Sequence, residues 1–150
     1  MKNLLAIGVK KKSFSGINEI KLNKQKKFKI KVTKKLHQQF IKFSGDDSPI
    51  HTDVKFCKKN KFAKPIGHAF LITAILSKIY GKYFPGGTEL CLKQTCNFRK
   101  PFFINDILEI TITPIKKKIS LKILEITVVI YSKKKIIFDG EALFQLSLSK

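Results

Sequence analysis

The chain reads as an α+β domain in which one buried helix precedes an antiparallel sheet. Three observations predict this. Residues 65–81 are apolar almost all round and close on Gly81, the pattern of a fully buried helix. From residue 90 onward the sequence is strand-like. Lysine triplets at 116–118 and 133–135 separate those strands as short turns. Long consecutive strands joined by short turns predict an antiparallel meander, and one buried helix can be covered only if the sheet wraps it.

Taken in order, the N-terminal run Met1–Lys10 has a short apolar stretch but no small-x-small cleavage pattern, so it reads as the start of the mature domain. Residues 28–32 (Phe-Lys-Ile-Lys-Val) alternate as a strand does. Thr33 is a candidate N-cap. Leu36, Phe40, Ile41 and Phe43 follow on one helical face, and Gly45 ends the helix. Residues 54–64 are polar and irregular, with one helical turn near Val54–Lys58. The buried helix is expected from about residue 67 to 80, and Phe84-Pro85-Gly86-Gly87 is a turn. Four strands then follow: Leu90–Phe98, Ile107–Pro114, Ile119–Ser132 and Ile136–Leu148.

At 150 residues, 43 % of them hydrophobic, the chain is expected to form one domain spanning residues 1–150. Its mean hydropathy of −0.06 fits neither a disordered nor a membrane-spanning chain. The formal charge of +21 raises the question of nucleic acid. Arg99 is the sole arginine, however, and the lysines are scattered without interleaved aromatic residues. Arginine's planar fork is what grips guanine and phosphate, so a lysine-only surface argues against a nucleic-acid partner. It suits small anionic substrates or an acidic carrier protein. Cys57, Cys91 and Cys96 form no disulfide or zinc pattern and read as small buried hydrophobes, and the reading of Met1–Lys10 as a mature N-terminus places the protein in the cytoplasm.

The segment that carries chemistry is Phe43-Ser44-Gly45-Asp46-Asp47-Ser48-Pro49-Ile50-His51-Thr52-Asp53. Pro49 lacks a backbone donor and keeps Ser48 out of helical angles, so a regular helix cannot run through here. A turn can bring Asp46 and His51 to one point, where a carboxylate and a neutral imidazole facing one water can remove a proton and return it. Plainer readings exist. Asp46 is of a type that caps turns, and His51 can be a hydrogen-bonded structural histidine. Asp47 and Asp53 read as local caps, His37 as a solvated helix residue, His68 as a support for the helix start. His37, His51 and Asp53 offer metal-ligand atoms, but nothing in the spacing fixes a geometry, so no metal and no cofactor is expected.

Ser44-Gly45-Asp46-x-x-Pro49-Ile50-His51-x-Asp53, then Phe62-x-x-Pro65-Ile66-x-His68, Gly81, Phe84-Pro85-Gly86, and Phe98-Arg99-x-Pro101 before an Asn-Asp turn together resemble the MaoC-like dehydratases, which include the (R)-specific enoyl-CoA hydratases. The resemblance runs from about residue 36 to 110. It implies a hot-dog fold, a long helix gripped by a curved antiparallel sheet and usually dimeric, and reversible hydration of a trans-2-enoyl thioester on coenzyme A or an acyl carrier protein. Carried over, Asp46 and His51 are the catalytic pair, and Ser48, His68 and the Ala69 amide bind substrate, the amide holding the thioester oxygen. Ser48 stands where the family usually has Asn, and Ala69 where it has Gly. Ser48 keeps hydrogen-bonding capacity with shorter reach. A helix N-terminus at the oxygen is physically apt, because free N–H groups and the positive dipole end stabilise negative charge there. A hot-dog thioesterase and a non-catalytic acyl-binding module are the alternatives. A homodimer is expected, and no membrane partner.

Overall fold

The computed structural model describes residues 4–7, 16–87 and 89–146. In chain order the elements are β1 (Leu4–Ile7), a single 3-10 turn (Ile17–Glu19), β2 (Lys26–Lys31), α1 (Lys34–Ser44), α2 (Pro49–Thr52), α3 (Val54–Lys59), α4 (Ala69–Lys82), β3 (Glu89–Gln94), β4 (Asn97–Phe98), β5 (Ile107–Lys118), β6 (Ile123–Ser132) and β7 (Lys135–Leu146). The strands make one seven-stranded antiparallel sheet in the order β1-β2-β5-β6-β7-β3, with β4 also paired to β7. No described helix is long and apolar enough to cross a membrane.

The core follows from alternation. On β6 every second residue (Leu124, Ile126, Val128, Ile130) is buried, and the same phase holds for Leu108, Ile110 and Ile112 on β5. These side chains join Leu71, Ile72, Ile75, Leu76 and Ile79 of α4 in one hydrophobic cluster. Tyr80 stands edge-on to Phe144 of β7, ring centroids 4.8 Å apart, and its hydroxyl donates to Gln94 Oε1 at 2.9 Å. Burying each large aliphatic side chain there contributes roughly 1.5–3 kcal/mol.

Several expectations need correcting. The strand expected over Leu90–Phe98 is broken between Gln94 and Asn97. There the Thr95 carbonyl crosses so close to Gly140 that a Cβ at position 140 would lie 2.0 Å from its oxygen. The meander is confined to β5, β6 and β7, because β3 pairs with β7 across the sheet rather than with the strand that follows it. Lys116–Lys118 are strand residues. Pro114 is accommodated at the register shift between it and Lys116, and Lys117 Nζ donates to the carbonyls of Ile17, Asn18 and Ile20. Lys133 and Lys134 do form the turn, both at positive φ. Strand β1 was not anticipated; the remainder of the Met1–Lys10 reading, and the expected strand end at residues 147–148, lie outside the described residues.

The two helices that matter for the site start and stop for local reasons. Thr33 Oγ1 accepts from the Leu36 amide at 3.1 Å, and Gly45, at φ +74°, closes α1 in the left-handed region that glycine enters freely. Helix α4 begins two residues later than expected because Gly67 is held elsewhere: its amide donates to the Phe102 carbonyl at 2.7 Å, and Ile66 bridges Phe103. Gly81 stays helical, and α4 runs on to Lys82. Phe43 points away from the core at 88 % exposure. The buried stripe of α1 is Leu36 and His37, so His37, expected in solvent, is 2 % exposed. Of the cysteines, Cys57 is buried, but Cys91 is exposed and Cys96 is half-buried.

Candidate active site

The turn after α1 is built from its own hydrogen bonds. Ser44 Oγ donates to the Phe40 carbonyl at 2.8 Å and accepts the Asp46 amide at 3.2 Å. Asp46 Oδ1 accepts from the Ser48 hydroxyl at 2.6 Å and the Ser48 amide at 3.3 Å, an Asx-type turn that orients the carboxylate. Pro49 then occupies the first position of α2, where a missing amide costs nothing. The segment is thus a turn followed by a single helical turn, and His51 rides on the latter.

His51 Nδ1 lies 2.9 Å from the Ile66 carbonyl oxygen. A carbonyl only accepts, so Nδ1 carries the hydrogen and Nε2 bears a lone pair. That lone pair sits 3.7 Å from Asp46 Oδ2. The separation is too long for a direct hydrogen bond and fits one water donating to both groups. His68, preceding α4, donates from Nε2 to the Asp46 main-chain carbonyl at 2.9 Å, and its Nε2 lies 3.6 Å from Asp46 Oδ2. The rings of His51 and His68 stack with centroids 3.7 Å apart, and His37 packs against His68 at 4.8 Å.

The electrostatics follow from these contacts. The hydrogen bonds from Ser48 hold the Asp46 carboxyl below the usual carboxylate range, with His51 and His68 adding to the effect. Burial lowers His68, outweighing the Asp46 carbonyl that favours its charged form. Burial also lowers His37, helped by its two histidine neighbours. At neutral pH the site therefore holds an ionised Asp46 beside neutral His37 and His68.

Asp46, His51, His68 and Ala69 all line one cavity of about 660 Å³. Its remaining wall is largely aromatic and aliphatic: Phe40, Phe62, Phe70, Phe98, Phe102 and Ile137 among others. The cavity thus joins a carboxylate and an imidazole to a mostly apolar lining that also carries Arg99 and Lys100, and Ala69 opens α4, whose first amides have no acceptor within the helix. Ser48, expected to touch substrate, does not line the cavity; its hydroxyl is spent on Asp46. Asp53 caps α3, accepting from the Lys55 and Phe56 amides. Sequence reasoning puts His37 in solvent, and the structure buries it. The signal was present in the spacing Thr33, His37, Phe40, Ser44, one continuous helical face that brings Phe40 and Ser44 to the cavity and His37 behind it.

The sequence profile of the MaoC like domain matches residues 18–134. The chain is 27 % identical over 107 residues to the 3-hydroxybutyryl-CoA dehydratase of Methylorubrum extorquens, covering 71 % of this chain and 68 % of that protein. It is 33 % identical over 67 residues to the (R)-specific enoyl-CoA hydratase of Aeromonas caviae, covering 45 % of this chain and 50 % of that one. Among solved structures, the (R)-hydratase from A. caviae involved in PHA biosynthesis superposes with a TM-score of 0.80 at 22 % identity, covering 85 % of this chain and 98 % of its own. The unliganded R-hydratase of Pseudomonas aeruginosa gives 0.81 at 22 % identity, covering 90 % and 92 %. At that identity the structural likeness speaks to the fold, which is the hot-dog arrangement of a long helix against an antiparallel sheet.

One prediction concerns Ser48. Its bonds stabilise the ionised carboxylate, so the Asp46 value in the folded protein lies below the ordinary one. The stabilisation is present above the ordinary carboxylate range and is lost as pH falls through the lowered value. In Ser48→Ala the Asp46 carboxyl should titrate at higher pH than in the native protein, read from its 13C resonance; an unmoved titration contradicts the assignment.

Proposed function

The chain belongs to the MaoC like domain family, and from that premise we propose that it catalyses reversible hydration of a trans-2-enoyl thioester to the (R)-3-hydroxyacyl thioester, with coenzyme A as the carrier. The observation that carries this reading is the 3.7 Å gap between Asp46 Oδ2 and His51 Nε2 in the wall of a mostly apolar cavity.

The mechanism assigns each group one task. A water donates one hydrogen to Asp46 Oδ2 and the other to His51 Nε2. Asp46 is held ionised by Ser48, and an imidazole nitrogen outranks such a carboxylate as a proton acceptor, so the water's proton goes to His51. The hydroxyl oxygen bonds to C3 of the enoyl chain. The C2–C3 π pair moves toward the thioester, whose oxygen becomes negative and is held by the Ala69 N–H. His51 then returns its proton to C2, so that water has added across the double bond. The Asp46 charge steadies the imidazolium between these steps. Ser48 orients Asp46, His68 anchors its main chain, and the phenylalanines receive the acyl tail.

We further infer one domain over residues 1–150, working in the cytoplasm as a homodimer. The described cysteines carry no disulfide, which suits a reducing compartment. Strand β3 is a sheet edge with Leu90 60 % and Leu92 48 % exposed, the kind of edge a second copy can cover. Sedimentation at micromolar concentration should give twice the mass of one chain; a monomer would remove this inference.

Hydration of crotonyl-CoA, followed as loss of the conjugated thioester absorbance, tests the activity. Asp46→Asn and His51→Ala should each lower kcat about a hundredfold or more. Release of free thiol, detected with a thiol reagent in step with the loss of absorbance, would assign a thioesterase instead. Ala69→Pro tests the oxygen-binding amide on its own. Proline fits the first position of a helix, and His68 before it is already extended at φ −67° and ψ 129°. The variant should stay folded by circular dichroism and lose on the order of 10²–10³ in kcat. Full turnover would show that another group holds the oxygen.

A further inference from the structure

The chain contains three histidines, and all three meet behind Asp46. Only His51 has a chemical step in the proposed mechanism. His37 has none, yet it is buried, and its Nε2 has no hydrogen-bond partner. His68 Nδ1 is likewise buried and unpartnered.

The hydrogen bonds decide what these nitrogens offer. His51 Nδ1 donates to the Ile66 carbonyl and His68 Nε2 donates to the Asp46 carbonyl, so His51 Nε2 and His68 Nδ1 carry lone pairs. The Ile66 carbonyl also acts on His37, in the direction that favours its protonated form, but burial outweighs it and the ring stays neutral. One nitrogen from each ring lies within 4.8 Å of the others. His37 Nε2 and His68 Nδ1 are buried and face no donor, and on His51 and His68 the other nitrogen is tied to a main-chain carbonyl, the support found behind metal-bound imidazoles. The Asp46 carboxylate, 3.6 Å from His68 Nε2 and 3.7 Å from His51 Nε2, adds a negative charge at the rim.

We propose that His37, His51 and His68 form a binding site for a late first-row divalent cation, zinc being the best-fitting member, and that filling it halts turnover by occupying the His51 lone pair. Imidazole suits zinc, copper and nickel. Zinc takes such nitrogens at about 2.0–2.1 Å, so three donors around it stand roughly 3.4 Å apart, and the cluster must tighten to bind. The nearly parallel stack of His51 on His68, 25° between planes, cannot place a cation in both ring planes, so one ring turns. His51, at the cavity wall, is the one with room. The inhibitory half of the proposal rests on the reading of His51 as the base; the binding half does not.

The test uses the full chain stripped of metal with chelator. Titration with ZnCl2 by calorimetry should show one ion bound per chain. His37→Leu and His37→Gln should each weaken binding more than tenfold while retaining metal-free crotonyl-CoA turnover, and zinc should inhibit the native chain at concentrations that leave both variants active. CoCl2 should give the visible bands of nitrogen ligation without a thiolate charge-transfer band, which excludes the cysteines. The Cε1–H resonances of all three histidines in the native chain should shift with one equivalent of zinc, a readout that survives if the variants fail to fold. Absence of binding up to millimolar zinc, unshifted histidine resonances, or undiminished affinity in either folded variant overturns the proposal. A chain that binds zinc through its histidines but never hydrates crotonyl-CoA would keep the site and lose the hydratase reading.

Discussion

Two hydrogen bonds at Ile66 carry the architecture of the site. Its amide donates to the Ile50 carbonyl at 3.1 Å, and its carbonyl accepts from His51 Nδ1 at 2.9 Å. Together they pin α2 to the segment that leads into α4. The next residue continues the tie, because the Gly67 amide bonds the Phe102 carbonyl, and a Cβ at position 67 would fall 2.1 Å from the Phe102 ring. The reacting side chains, the helix start and the aromatic wall are thereby fixed relative to one another through main-chain atoms. The same carbonyl also sets the His51 tautomer, so one interaction controls both where the imidazole sits and which nitrogen is basic.

This arrangement departs from the rule that buried polar groups are satisfied. His37 and His68 are each 2 % exposed, Phe40 packs on the His68 ring, and each histidine keeps one nitrogen unpartnered. Such groups are destabilising by about 1–3 kcal/mol apiece. Departures of this kind concentrate where a protein needs chemistry rather than packing. Here Asp46 and His51 hold a water for proton transfer, and the unpartnered nitrogens of His37 and His68 are the excess of acceptors that would draw a cation.

Much of the fold was legible in the sequence. The helix over the apolar run, the cap at Thr33, the stop at Gly45 and the alternation of Leu124, Ile126, Val128 and Ile130 all follow from local rules. What was not legible depended on long-range pairing. Nothing local to Leu90–Phe98 says that it will skip two strands to reach β7, and the break at Thr95 is imposed by Gly140, distant in sequence. The site was legible in its chemistry, since Asp46 and His51 sit in a turn that a proline forces. It was illegible where a side chain's neighbours decide its role. Ser48 serves the carboxylate rather than the cavity. His37 lies on the face that runs from Thr33 through Phe40 and Ser44 to the cavity, whereas Phe43, apolar by type, points into solvent.

The account stands on the state of one ring. Long-range 1H–15N correlation spectra of the metal-free protein at neutral pH report, for each histidine, which nitrogen bears the hydrogen. The account predicts that the neutral His51 ring carries its hydrogen on Nδ1 and leaves Nε2 bare. A neutral ring with its hydrogen on Nε2 would leave no lone pair facing Asp46 and would contradict it.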